Sequence, residues 1–594
     1  MLDSDDKNND ENSTINLSTE SVNDIFKIPI TYNENNKQLN QSVINDLELV
    51  DTVDVEEKPI YEHIFNTTDS ISRQVVKQIA SNYTTDTDFL TQTQDLVSVI
   101  ETNEINTIFN KYNFSSFDFD NIVNSWQEIY RQTGFCEKYL YIDWNFAKFL
   151  NNNTHFLQLM SIYNIASPVL SLLLPIFILI MPFFIIKAKG ININIKDYID
   201  VLKALISNHA ITKIFTQFHQ VDFNQKIYLI VSAAFYLFSV YQNILVCVRF
   251  YSNMKKIHDY LFKFKDYIDF SLETMEYYIT KTKTFSKYTN FNNELTKNMN
   301  VLYDFKTQIN KITPFSLSLF KISEIGHIMH TFYQLYDNNY YTNSLLYSFG
   351  FHSYFNIMKT LKNNVETNKL YKTTYTQKGR LVLKKMYYPK LIHASSESIV
   401  KNDCNLNKNM IITGPNASGK TTTIKTCLIN VILSQQFGYG CFESCKLTPF
   451  ENIHSYLNIP DTSGRDSLFQ AEARRCKEII DSVEKSSTEN HICIFDELYS
   501  GTNPEEAVSS AFALMNYLVN KENVTCILTT HYVKLCKKLG KNNKIKNYNM
   551  KTLKKNDNFE YTYILQNGIS KIKGGLKVLK DMNYPKEILE STRK

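Results

Sequence analysis

Gly414-Pro415-Asn416-Ala417-Ser418-Gly419-Lys420-Thr421 fits the pattern G-x-x-x-x-G-K-S/T, and a strand-like run, Met410-Ile411-Ile412-Thr413, stands directly before it. The pattern describes a phosphate-binding loop, whose glycines let successive backbone N–H groups turn toward a phosphate chain. Lys420 can reach the β and γ oxygens of such a chain, and the Thr421 hydroxyl can ligate Mg²⁺. A helix-like run from Thr422 to Leu433 completes the strand, loop and helix that the site needs.

Two further groups follow in order. His491-Ile492-Cys493-Ile494-Phe495-Asp496-Glu497 is an apolar strand ending in two acids. Asp496 is placed to hold Mg²⁺, directly or through water, and Glu497 to polarise an attacking water. Val524 to Leu528 then runs into Thr529-Thr530-His531, 34 residues beyond Glu497. A histidine at the carboxyl end of a core strand can hydrogen-bond a γ-phosphate. The chemistry these residues describe is Mg²⁺-dependent hydrolysis of ATP, with Lys420 stabilising phosphate charge.

The elements that must position this chemistry belong to a chain of 594 residues, long enough for three or four domains. A net charge of +4 is too near neutral for a wholesale polyanion binder, so any nucleic-acid contact must come from a local patch. Ten cysteines without framework spacing read as reduced thiols facing the cytosol. Cys441 and Cys445 lack the second pair that a zinc site needs.

Residues 1–60 carry Asp, Asn, Ser, Thr and Glu with few clustered apolar residues, which predicts a disordered acidic tail. No basic start followed by an apolar core marks a secretory signal. Residues 61–160 read as a small helical region. Within 161–250, Ile165 to Ile186 and Ile227 to Val248 each run 22 residues without a charge. At 1.5 Å per residue either extends about 33 Å, enough for a hydrocarbon core of about 30 Å. Lys187, Lys189, Lys226 and Arg249 flank them, as headgroup anchors would. A membrane hairpin is expected, with the ATPase domain facing the cytosol. The alternative is a pair of buried helices in a large α-helical domain of a soluble cytoplasmic or nuclear protein, which Gln242-Asn243 favours.

Residues 251–384 follow helical spacing, as in Ile257, Tyr260-Leu261, Phe264 and Ile268, with lysines on other faces. Lys255, Lys256, Lys263, Lys265, Lys281, Lys283 and Lys287 make this the most basic local region. It reads either as a DNA-facing arm or as a solvated helix face.

TGPNASGKTT (413–422), FDELYSGTNPEEA (495–507) and TTHY (529–532) resemble the MutS branch of the ABC-type ATPases. Asp461 to Arg475 is similar to that family's G-x-S-x-F-x-x-E element, and Gly568-Ile569-Ser570 with Gly574-Gly575-Leu576 look like its closing strand and helix. The resemblance covers about residues 385–594. It implies an α/β ABC-type P-loop ATPase domain at the C-terminus, behind an all-α lever-like region (251–384) and two hydrophobic, transmembrane helices. It also implies that Gly414 to Thr422 hold ATP, that Asn416 helps position phosphate or water, and that Ser467 reaches the γ-phosphate bound by a partner subunit. Such composite sites imply a homodimer, or a heterodimer with another MutS-like chain, and engagement of mismatched or branched DNA.

The departures are specific. Gly464 stands three residues before Ser467 where the family has two, which puts the contact in trans in doubt. The mismatch-reading Phe-x-Glu wedge has only Phe135-Cys136-Glu137 to match it, a tripeptide that 39 phenylalanines make ordinary. The chain resembles MutS-like proteins with predicted membrane segments and no evident mismatch-recognition domain. Two readings follow: a DNA-transaction ATPase, or a membrane-anchored ATPase acting on a protein partner. An ABC transporter half is a poor third, because two spans are too few and no LSGGQ-like signature is present.

Overall fold

The computed structural model describes all residues except 1–21, 55, 113–115, 132–133, 191–193, 195, 201–202, 204–222, 317, 378, 396, 458, 460–466, 556–557, 571, 573–578, 580–581 and 592–594. Gly574-Gly575-Leu576, all of Asp461 to Asp466, the first 21 residues of the expected tail and most of the link between the two apolar runs therefore lie outside the described residues. The chain divides into two compact units. One is drawn from Ser18–Asn113, Glu273–Met299 and Leu346–Lys594, the other chiefly from Phe114–Leu272 and Asn300–Leu345.

The first unit is built on uncharged runs. Met410 to Ile412, Ile492 to Phe495 and Val524 to Leu528 carry no charge and are fully buried, as strands covered on both faces must be. They form the centre of a six-stranded sheet in the order Asn558–Asn567, Ile545–Lys555, Asn409–Thr413, Val524–Thr530, His491–Asp496, Asn452–Tyr456. All neighbours are parallel except the first pair. Helices Leu468–Lys485 and Pro504–Asn520 share a core with this sheet that includes Cys476, Val483, Phe495, Ala511, Met515 and Leu528. A second, five-stranded sheet runs Asn402–Asn405, Leu381–Met386, Ser444–Leu447, Tyr371–Tyr375, Tyr439–Gly440. The helix Lys420–Phe437 is buried on nearly every side rather than along one stripe, which marks it as an interior helix.

The expected tail gives way from residue 22 onward. Val22–Ile25, Pro29–Tyr32, Asn36–Gln38 and Gln41–Asp46 are regular elements, and Asn36–Gln38 pairs antiparallel with Asn82–Thr84. Phe26, Leu47 and Leu49 are completely buried. Apolar residues standing singly among Asn, Asp and Glu gave no cluster to read, yet each fills a site on this unit. Polar groups fix the same segment: Gln78 Nε2 donates to the Phe26 carbonyl at 2.8 Å, and the Ser455 hydroxyl donates to Asp46 Oδ2 at 2.6 Å.

The helical stretches are also divided differently from expectation. Residues 61–160 do not form one region, because the chain passes from one unit to the other at Asn113/Phe114. The arm expected over 251–384 is helical only to Glu366, and Tyr371–Tyr375 and Leu381–Met386 already belong to the second sheet. Lys263, Lys281 and Lys287 of its basic stretch are paired with Asp259, Glu104 and Asp86.

The other unit is helical, with an aromatic core. Phe135 is buried and stacks on Tyr336 at 3.9 Å and on Tyr141 at 5.5 Å, so it is a packing residue and presents no wedge. The helix Thr154–Ala188 packs on Ile325–Asp337 so closely that a Cβ on Gly326 would lie 2.4 Å from the Thr154 carbonyl. Thr154–Ala188 and Phe223–Thr282 touch where Tyr236 Oη meets the Ser171 carbonyl at 3.4 Å and Cys247 Sγ meets that of Ile165 at 3.6 Å. These partners run in opposite directions along the two helices. Both helices are long and apolar enough to cross a membrane, by length and composition. Their apolar side chains are not a buried core of this unit: Phe184 is 59% exposed and Phe235 70%.

Candidate active site at the phosphate-binding loop

The loop Gly414 to Gly419 leaves the central strand and enters the buried helix at Lys420. Ala417 (φ 61°) and Gly419 (φ 93°) take left-handed backbone conformations, and Ser418 Oγ donates to the Pro415 carbonyl at 2.7 Å. Such a turn is the kind of backbone that lets a phosphate loop's N–H groups face one anion. Gly414 is packed too tightly for a side chain, since a Cβ there would stand 2.7 Å from Ser418 Oγ.

Lys420 is 5% exposed and donates to the carbonyls of Gly414 at 3.1 Å and Pro415 at 3.3 Å. Its ammonium also lies 3.3 Å from Glu497 Oε1. The Thr421 hydroxyl donates to Asp496 Oδ2 at 2.7 Å, while the Thr529 hydroxyl bonds Asp496 Oδ1. The parallel pairing of His491–Asp496 with Val524–Thr530 sets Asp496 opposite Thr529, so this contact follows from register. Glu497 takes a φ of 50° just past its strand, and His531 Nδ1 stands 3.6 Å from Glu497 Oε2. The His531 imidazole, with the Lys420 charge, outweighs burial and holds the Glu497 carboxyl down at about 2.

Two cavities flank the loop. One of about 660 Å³ is lined by Asn416, Ala417, Gly419 to Thr423, Asp496 and Glu497. The other, about 840 Å³, is lined by Gly414, Pro415, Asn416, His531, Lys534 and Ser570 among others. Asn416 borders both. The structure thus brings together Gly414, Pro415, Asn416, Ala417, Gly419, Lys420, Thr421, Thr422, Asp496, Glu497 and His531, with Ser418 bracing the turn from within. Ser467 lines neither cavity. It caps the helix Leu468–Lys485 through a reciprocal box with Gln470 and is exposed.

Several neighbours escape motif reading. Tyr388, Leu391, Asn402 and Tyr563 line the first cavity beyond the phosphate end. Asn402 donates to the Tyr563 carbonyl at 2.9 Å and accepts from Leu565 N at 2.7 Å, which ties the two sheets together at this edge. The Tyr387-Tyr388-Pro389 run was the one sequence signal available for them. Glu472, 2% exposed, accepts from Ser500 N and Oγ at 2.9 Å each and from Gly501 N at 3.2 Å. It fastens the helix behind Ser467 to the turn that follows Glu497.

A carboxylate and a hydroxyl side by side, Asp496 and Thr421, are the hard oxygen donors that Mg²⁺ takes from a protein at a phosphate site. A buried ammonium beside a row of inward-turning loop N–H groups suits a triphosphate.

Residues 410–594 match the MutS domain V family. The chain is 28% identical over 233 residues to the DNA mismatch repair protein MutS of Caldanaerobacter subterraneus subsp. tengcongensis, covering 38% of this chain and 26% of that protein. It is 29% identical over 209 residues to the DNA mismatch repair protein MutS of Orientia tsutsugamushi, covering 34% and 23%, and 26% identical over 227 residues to that of Pseudothermotoga lettingae, covering 37% and 27%. The chain therefore spans about a quarter of the length of the curated relatives it matches. From residue 410 onward this chain matches MutS domain V, and through that domain it is similar to the MutS family.

Proposed function

We propose that this chain is a Mg²⁺-dependent ATPase whose phosphate-loop unit works as half of a dimer, in a DNA transaction related to mismatch repair or recombination. The observation that carries the reading is the convergence of Lys420, Thr421, Asp496 and Glu497 on one cavity. In it Lys420 stabilises phosphate charge, Glu497 orients and activates water, and His531 holds Glu497 and senses the γ-phosphate. Asp496 and Thr421 hold Mg²⁺, which when bound neutralises charge on the phosphate oxygens. Asn416, on the border of both cavities, positions phosphate or water.

The dimer, of two copies or with another MutS-like chain, is supported by the exposure of Ser467 at its helix end, away from both cavities of its own chain. There it is available to a second chain's γ-phosphate. DNA comes from the MutS relatives alone. ATP hydrolysis by the full chain, with and without mismatched or branched duplex, tests both parts. Lys420→Ala and Glu497→Gln should remove turnover, and DNA stimulation should weaken with salt.

A second reading, a membrane-anchored ATPase acting on a protein partner, is favoured by the exposed apolar side chains of Thr154–Ala188 and Phe223–Thr282 and by the ion-paired state of Lys263, Lys281 and Lys287. Its spans are 165–186 and 227–248. Retention in the membrane pellet after carbonate extraction, with ATPase indifferent to DNA, would support it; release into the supernatant would favour a soluble protein.

A further inference from the structure

The largely helical unit contains a cavity of about 390 Å³ in which the ATP-site reading has no part. Phe250, Met254 and His258 of the helix Phe223–Thr282 form one wall, and Phe315, Ile322 and Ile325 form another. Ile165 and Cys247, from the two apolar helices, line it as well. The volume is in the range of small-molecule sites, about 300–1,000 Å³.

The lining also includes Tyr251, Ser316, Ser318 and Lys321, and the imidazole that faces it from the long helix is that of His258, 4% exposed. Its Nδ1 lies 2.8 Å from the Met254 carbonyl oxygen. A carbonyl only accepts, so Nδ1 carries the proton, and Nε2 of the neutral ring is an acceptor. Burial lowers the His258 pKa and keeps the ring neutral. Nε2 is buried and has no hydrogen-bond partner among the described residues. An acceptor left that way is costly, and a donor that reaches it is favoured.

The nearby groups do not satisfy it. The Lys321 ammonium is taken up by the Thr313 carbonyl and hydroxyl and by Glu324. The Phe315 ring meets the imidazole at 5.2 Å in an edge contact and lies 5.8 Å from the Tyr251 ring. Ser316 and Ser318 also line the cavity, but both are exposed and neither bonds Nε2. Among the described lining residues the cation is Lys321, already paired with Glu324, and a plain hydrocarbon leaves Nε2 unpaired. What fits is an apolar chain bearing one O–H donor.

We propose that this cavity binds a neutral single-chain amphiphile of the long-chain alcohol class, its hydroxyl donating to His258 Nε2 and its chain lying along Met254 and Phe250 toward Cys247 and Ile165. Cys247 and His258 are eleven residues apart on one helix, about 16 Å along its axis, which sets the length of the path. The site draws on neither ATP hydrolysis nor DNA binding, so its test stands apart from theirs.

The test is photolabelling of the full chain with a diazirine analogue of 1-decanol, adducts being mapped by peptide mass spectrometry. Adducts are expected on 250–258 and 318–325. 1-Decanol should displace the probe at about tenfold lower concentration than decyl methyl ether, which has the same chain but no donor. His258→Phe should erase that difference, and Met254→Trp, which fills the cavity, should suppress labelling. Equal displacement by alcohol and ether in the unaltered protein overturns the proposal, whatever the variants do. So do adducts confined to 227–248, which would report the exposed helix faces, and labelling that survives Met254→Trp.

Discussion

The Lys420 ammonium lies 3.3 Å from Glu497 Oε1, so the cation placed to take phosphate charge is held by the carboxylate placed to activate water. Both are partly or wholly sequestered, Lys420 at 5% side-chain exposure and Glu497 at 32%. In the proposed mechanism a γ-phosphate reaching Lys420 takes the place of this carboxylate, and Glu497 then turns to water. Substrate binding and assembly of the catalytic pair become one event.

Removing the carboxylate should therefore separate binding from turnover. Glu497→Gln is expected to bind ATP at least as tightly as the unaltered protein, since Lys420 no longer has a competing anion. Lys420→Ala should weaken binding by about 10–100-fold, the worth of a charge-assisted hydrogen bond. Equilibrium titration with a fluorescent ATP analogue checks both, and weaker binding by Glu497→Gln would contradict the exchange.

The Thr421 hydroxyl and the Asp496 carboxylate are already joined at 2.7 Å. Thr421→Val keeps the shape and deletes the donor. The Mg²⁺ concentration giving half-maximal ATPase should rise by about 10–100-fold, as when a ligand or its support is lost at other metal sites. A Mg²⁺ titration that superimposes on that of the unaltered protein would remove Thr421 from the metal site.

Glu472 accepts three hydrogen bonds from Ser500 and Gly501 while buried. Glu472→Ala strands those donors and should cost about 2–3 kcal/mol. Urea unfolding of the full chain would read it as a lower midpoint for the ATPase transition. A midpoint equal to that of the unaltered protein would mean that the helix behind Ser467 is held by packing alone.

His454 and His491 stack across adjacent strands, His454 Nε2 standing 3.1 Å from His491 Nδ1, while His491 Nε2 donates to the Ser486 carbonyl at 3.0 Å. Burial lowers the pKa of both below the ordinary 6.5, helped by the Arg475 charge at His454 and the Lys521 charge at His491 and opposed at His491 by Glu489 and Glu451. The unfolded chain then binds protons that the folded chain refuses, so stability is unaffected above about pH 6.5 and falls as the pH drops below it. Each such histidine costs about 1.4 kcal/mol per pH unit. Urea midpoints at pH 7.5 and 5.5 should differ, and His454→Phe should shrink the difference. Equal midpoints at the two pH values would show that the pair titrates normally.

The placement of the candidate site residues was legible because they are contiguous with the strands that carry them. Met410 to Thr413, His491 to Asp496 and Val524 to Thr530 are uncharged runs, and the reactive side chains stand at their carboxyl ends, so period and motif agreed. What was illegible depends on pairings between distant residues. Phe26, Leu47 and Leu49 stand alone among polar neighbours and become core only where the rest of the unit receives them. Tyr563 reaches the cavity because its strand closes the sheet edge and Asn402 binds its carbonyl. The element at Asp461 to Arg475 resembled a known signature, but nothing in its spacing told that Glu472 would clasp the turn after Glu497. Length and charge alone also could not distinguish membrane helices from buried ones. The exposed Phe184 and Phe235 now argue against a core of this unit.

The central claim is that Glu497 activates water for cleavage of ATP held by Lys420. Single-turnover hydrolysis by the full chain, with ATP binding measured on the same samples, addresses it most directly. Glu497→Gln should bind ATP yet cleave it about 10²–10⁴-fold more slowly than the unaltered protein. Cleavage at the unaltered rate by a variant that binds ATP would contradict it.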